Sequence, residues 1–69
     1  MATEPLISAR EKSVVQLIAE GLTNKQIAEV LSVSLKTVEA HRAAAMRKLN
    51  VTTTAGLIRY AVRNKLVEA

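Results

Sequence analysis

The sequence predicts an all-α fold, a four-helix domain containing a helix-turn-helix, and three observations carry that prediction. Capping signals stand where apolar periodicity begins: S-A-R-E at 8–11, T-N-K-Q at 23–26, and Ser34 ahead of L-K-T-V. The apolar residues behind each cap return at helical rather than alternating spacing. Only Ser32 and Val33 separate the second periodic run from the cap of the third, room for nothing but a tight turn. The helices are expected over about residues 8–20, 24–31, 35–49 and 54–64.

In order along the chain, Met1 to Leu6 shows no periodicity and reads as a disordered lead or linker remnant, followed by one domain over 7–67. The first helix opens at the Ser8–Glu11 capping box, turns Val14, Leu17 and Ile18 inward, and stops at Gly21 in the C′ position. Leu22 continues the core. The second helix opens at the Thr23–Gln26 capping box and buries Ile27, Ala28 and Leu31, with Ala28 small enough to let two helices cross closely. The third begins at Ser34 and ends at Asn50, a residue that tolerates the left-handed conformation of a helix end. Val51 plugs the core, and Thr52 to Thr54 supply the cap of a fourth helix. In that helix Leu57, Ile58, Ala61 and Val62 are expected inward, and Gly56, Arg59, Tyr60 and Arg63 outward. Gly56 costs about 1 kcal/mol relative to Ala in a helix interior. It fits either close approach by a twofold-related copy of the helix or a loose first turn.

Composition narrows the function. With 69 residues there is one small domain, which buries only about 60% of its unfolded surface. There is no Cys and a single His, so neither a disulfide nor a zinc site is expected, and no cofactor or small-molecule ligand is implied. The same scarcity, with carboxylates scattered over helix surfaces and no room for a pocket of about 300 Å³, argues against an enzyme. Phe and Trp are absent and Tyr60 is the only aromatic, which removes the stacking platform used on single strands and RNA loops. Ten Lys and Arg against six Asp and Glu give a net charge of +4, suited to an anionic polymer. No apolar run approaches the ~20 residues that span a bilayer, and the N-terminus lacks the pattern of a signal peptide, so the cytoplasm is the expected compartment.

The third helix has two unlike faces. Val38, Ala45 and Leu49 share one stripe, flanked by His41 and Met46; Lys36, Ala40, Ala43 and Arg47 share the opposite one, with Glu39 and Ala44 beside them. A solvated helix face usually carries long charged side chains throughout. This outer face is slim, framed by long side chains at its edges, and suits close approach to a surface such as the DNA major groove, about 12 Å wide. The plain alternative is an Ala-rich helix chosen for propensity.

The residues ISARE at 7–11, LIAEGLTNKQIAEVLSVSLKTVEAHR at 17–42, MRKLNV at 46–51 and RYAVRNKLV at 59–67 resemble the LuxR-type helix-turn-helix of bacterial transcription regulators. The KTVEAHR wording is most similar to the NarL/FixJ response-regulator branch. The resemblance implies a third helix in the major groove of double-stranded DNA and a fourth helix that pairs two subunits over an inverted repeat. It implies base-facing roles for Glu39, Ala40 and Ala43 with Lys36 and Arg47 at the edges, and phosphate contacts from Thr23, Asn24 and Lys25. Thr37, His41 and Lys48 are further phosphate candidates, and Gly56, Arg59, Tyr60 and Arg63 form the implied homodimer surface. Glu39 can accept from cytosine N4, and Ala40 and Ala43 can touch a thymine methyl.

Some residues depart from the commonest family pattern. Arg42 lies toward the inner stripe where many relatives carry an aliphatic residue, so it must snorkel outward or pair with a carboxylate such as Glu11 or Glu20. Asn50 and Lys65 stand where relatives often have Gly. The function expected is sequence-specific duplex binding in a transcription regulator, as the C-terminal output domain of a two-component response regulator acting with RNA polymerase. The alternative is a helical protein-interaction module that docks polymerase or another partner without reading DNA.

Overall fold

Four helices make up the described residues of the computed structural model, which are residues 7–67: α1 (Ala9–Ala19), α2 (Asn24–Leu31), α3 (Leu35–Leu49) and α4 (Thr54–Arg63). Residues 1–6, expected as a linker remnant, lie outside the described residues. Each helix starts where its capping residue predicts. Glu11 N–H donates to Ser8 Oγ at 3.1 Å while Ser8 N–H donates to Glu11 Oε1 at 2.9 Å, and Thr23 and Gln26 repeat the exchange at 3.1 and 2.8 Å. Ser34 Oγ accepts from Thr37 N–H at 3.0 Å and Thr53 Oγ1 from Gly56 N–H at 3.0 Å. Each cap satisfies an amide the helix itself cannot, typically contributing about 1 kcal/mol.

The helix ends are equally local. Gly21 takes φ +100°, and the backbone closes with Gly21 N–H on Ile18 O and Leu22 N–H on Leu17 O. Ser32, Asn50 and Lys65 all adopt the left-handed conformation, at φ 57°, 57° and 60°. At Asn50 and Lys65 the positive φ is one that Gly adopts most easily, in keeping with the Gly that the resemblance implies there. At Ser32 the same conformation makes the turn of the helix-turn-helix, sealed by Val33 N–H donating to Ala28 O at 3.0 Å.

α1 lies at the centre, packed against α2, α3 and α4, and α2 also packs against α3. The core is aliphatic: Ile7, Val14, Val15 and Ile18 meet Ile27 and Ala28 of α2, Val38 and Ala45 of α3, and Leu57 and Ala61 of α4. Ile27, Leu57, Val14, Val15 and Val38 are its largest fully buried side chains, each contributing about 1.5–3 kcal/mol of burial. Val15 was not expected inside; α1 has helices around more than one side, so its buried arc is wider than one stripe.

α4 is rotated from its expected orientation. Leu57 and Ala61 are fully buried as expected, but Ile58 and Val62 are each 37% exposed, and Tyr60, expected outward, is half-buried against the core. The stripe therefore runs through 57, 60 and 61. Beyond the helix, Leu66 N–H donates to Ala61 O at 2.8 Å, which folds Leu66 onto the same side.

Gly56 is also explained inside the chain rather than by a second copy. A Cβ at this position would lie 2.6 Å from Val51 Cγ1 and 3.3 Å from Thr53 Oγ1. The absent side chain lets Val51 pack over the first turn of α4. Gly56→Ala is therefore expected to destabilise the domain by about 1–3 kcal/mol in urea unfolding, against the gain of about 1 kcal/mol normal for such a change in a helix. Adding Val51→Ala should remove the clash and leave a non-additive double mutant; simple additivity would show that Val51 is not the obstacle.

Candidate nucleic-acid interface

The inner face of α3 is fixed by Val38 and Ala45, both 0% exposed. Helical geometry then turns the other side outward, and Lys36, Glu39, Ala40, Ala43 and Arg47 are all exposed. Ala44 is half-buried, so the small outer surface consists of Ala40 and Ala43. Glu39 is the only carboxylate on α3, between the cationic ends Lys36 and Arg47. The result is a low surface with one acceptor near its middle and donors at its rims.

The first turn of α2 stands beside this surface. Asn24, Glu39, Arg42, Ala43 and Met46 line an open groove of about 210 Å³, which brings one phosphate candidate next to two base-facing candidates. The Thr23–Gln26 exchange uses the Gln26 amide, and Ile27 N–H donates to Thr23 O. The amides of Asn24 and Lys25, among the described residues, have no intramolecular acceptor. Thr23 and Lys25 are exposed. The Thr23 hydroxyl accepts from Gln26 and keeps its own proton to donate.

Other candidates are held by their own fold. Thr37 is half-buried, and its hydroxyl lies 2.9 Å from Ser34 Oγ at the α3 cap. His41 is half-buried on the flank of the helix. Lys48 Nζ donates to Glu11 Oε1 and Oε2 at 2.9 and 3.0 Å, tying the end of α3 to the buried capping carboxylate of α1. Of the two courses expected for Arg42, pairing with Glu11 or Glu20 is not the one taken: Lys48 occupies Glu11, and no ion pair of Arg42 is present among the described residues. Its guanidinium reaches Asn24 Oδ1 at 3.2 Å and Thr54 Oγ1 instead. The Arg42 and Lys48 contacts join residues on different helices, and spacing along one helix carries no signal for them.

The sequence matches the profile of the bacterial regulatory proteins of the luxR family over residues 5–61. The chain belongs to the luxR family. Among curated members, the oxygen regulatory protein NreC of Staphylococcus carnosus (strain TM300) is 48% identical over 63 residues, which cover 91% of this chain and 29% of that protein. NreC of Staphylococcus aureus (strain JH9) is 47% identical over 68 residues, 96% of this chain and 31% of that protein. The chain thus spans about three tenths of the length of these relatives. A solved structure of the transcription factor GerE superposes with a TM-score of 0.80 at 28% identity, covering 91% of this chain and 94% of GerE. This member of the luxR family therefore has the GerE fold, with helix-turn-helix α2–α3 as expected. Among the described residues no helix is long and apolar enough to cross a membrane.

The contacts that Glu11 makes with Ser8 and Lys48 link the stability of the domain to pH. The Ser8 backbone N–H and then the Lys48 ammonium hold the Glu11 carboxyl below its ordinary value of 4.5, against burial, which raises it. A carboxyl depressed in the folded state contributes stability above its unfolded value and loses it as pH falls through the folded one. Glu11→Gln should thus cost roughly 1–2 kcal/mol at pH 7, and the deficit should shrink as the wild type is acidified below about pH 4. A deficit equal at both pH values would exclude the charge of Glu11 as its source.

Proposed function

We propose that this domain binds duplex DNA sequence-specifically, with α3 in the major groove and the first turn of α2 on an adjacent phosphate, as the C-terminal output domain of a response regulator. The observation that supports the reading is the pairing of a slim exposed face, Glu39, Ala40 and Ala43, with the unpartnered Asn24 and Lys25 amides at the start of α2, where Asn24 lines the same groove as Glu39 and Ala43. Helix N-terminal amides favour a phosphate oxygen, and a carboxylate flanked by methyls reads base edges that differ between base pairs. Lys36 and Arg47 meet phosphate or guanine at the two edges. Thr23 and Lys25 add phosphate donors, and Thr37 and His41 lie on the flank where the backbone passes. Lys48 contributes to the local positive field while its amine stays on Glu11.

Two copies would meet through α4, consistent with the inverted repeat expected of a dimeric reader. The exposed Ile58 and Val62 support that surface better than Gly56 or Tyr60, both of which face their own core. Arg59 and Arg63 border it and need acceptors across a twofold. RNA polymerase is the proposed protein partner and the cytoplasm the compartment. The rival reading, an interaction module that never reads DNA, draws on Val30 and Leu35, which are 60% and 46% exposed.

Selection from a random duplex library separates the two readings. An inverted repeat with half-sites about one turn apart should be enriched, with affinity falling steeply as salt rises. Lys25→Ala should weaken all duplexes alike and lower the salt slope by about one. Glu39→Ala should change the preferred base at one position of each half-site, a discrimination of about 1–3 kcal/mol. Absence of duplex binding at any salt would favour the interaction module, and an unchanged preference in Glu39→Ala would remove Glu39 from the reading set.

A further inference from the structure

Arg42 sits on the inner flank of α3 and its guanidinium reaches two other helices at once. Nη1 donates to Asn24 Oδ1 at 3.2 Å, on the first residue of α2, and Nη2 donates to Thr54 Oγ1, on the first residue of α4. α3 and α4 otherwise pack chiefly on α1 rather than on each other. A cation beside two helix N-termini is placed against both helix dipoles, so helix stability does not account for it. Its planar fork, however, fixes distance and angle between two acceptors better than any other side chain.

We propose that Arg42 is a positioning residue that couples the first turn of α4 to the first turn of α2 across the recognition helix. Resting on the DNA-binding reading above, the role is specific. Asn24 carries one of the two amides offered to phosphate, and the groove it shares with Glu39 and Ala43 also contains Arg42. A shift at the start of α4, such as one produced by pairing with a second copy, reaches the phosphate-facing turn through this guanidinium. Arg42 itself touches no DNA.

The coupling is read first without DNA, in amide spectra of the labelled domain. Thr54→Val removes one acceptor at an exposed site that is not part of the DNA-facing set, and it should move the amide resonances of Asn24 to Ile27 on the other helix. In an Arg42→Met background the same change should leave those resonances still. Movement that persists without Arg42, or no movement in either background, overturns the proposal. On duplexes, Arg42→Met should reduce the ratio of affinity for the selected site to affinity for random duplex by about tenfold, within the range of coupled neighbours, with the salt slope unchanged. Arg42→Lys, which keeps the charge but not the fork, should restore only part of the ratio. A uniform loss with a salt slope lower by about one would make Arg42 a phosphate contact and overturn the positioning role. Failure of the wild type to bind any duplex would strike the DNA reading alone, since the resonance test stands apart from it.

Discussion

The burial of Val38 and Ala45 fixes which way α3 faces, and the rest of the structure depends on that choice. Neither residue has any exposed surface. Because a helix turns about 100° per residue, burying positions 38 and 45 commits positions 36, 39, 40, 43 and 47 to the outside. A surface made this way needs no loop to hold it: its rigidity is that of the core. α1 and α2 are the helices that α3 packs against, and α1 stands at the centre touching each of the other three.

Charge is divided by the same geometry. α3 carries Lys36, Arg42, Arg47 and Lys48. The two nearer the inner side are engaged, Lys48 with Glu11 on α1 and Arg42 with Asn24 and Thr54, while the outer two have no ion-pair partner among the described residues. Cations that are already paired add little to binding when a polyanion arrives, whereas Lys36 and Arg47 exchange only water and counterions. The net charge of +4 is thus less informative than its placement.

Local features were legible in the sequence because their partners are three or four residues away. The boxes at Ser8 and Thr23, the Ser34 cap, the Ser32–Val33 turn and the left-handed Asn50 all depend on near neighbours and were expected. So was the outward set on α3, since fifteen residues of helix give a periodicity clear enough to orient it. α4 has ten residues, and its pattern admits two orientations about one residue apart; the bulk of Tyr60 and the fit of Val51 over Gly56 decide between them. The Lys48–Glu11 tie spans 37 positions in sequence and the Arg42–Asn24 bond spans 18, and no periodicity encodes contacts of that range. For that reason neither Asn24 nor Thr54 could be named as a partner of Arg42, for which the sequence left open an outward reach or a carboxylate.

The most direct measurement is mapping of amide resonances as a duplex carrying the preferred site is titrated into the labelled domain. The largest changes should fall on Thr23 to Gln26 and on Lys36, Glu39, Ala40, Ala43 and Arg47, with the buried face of α1 little affected. Changes centred instead on Val30 and Leu35, or confined to α4, would contradict the claim that the exposed face of α3 is the surface that meets DNA.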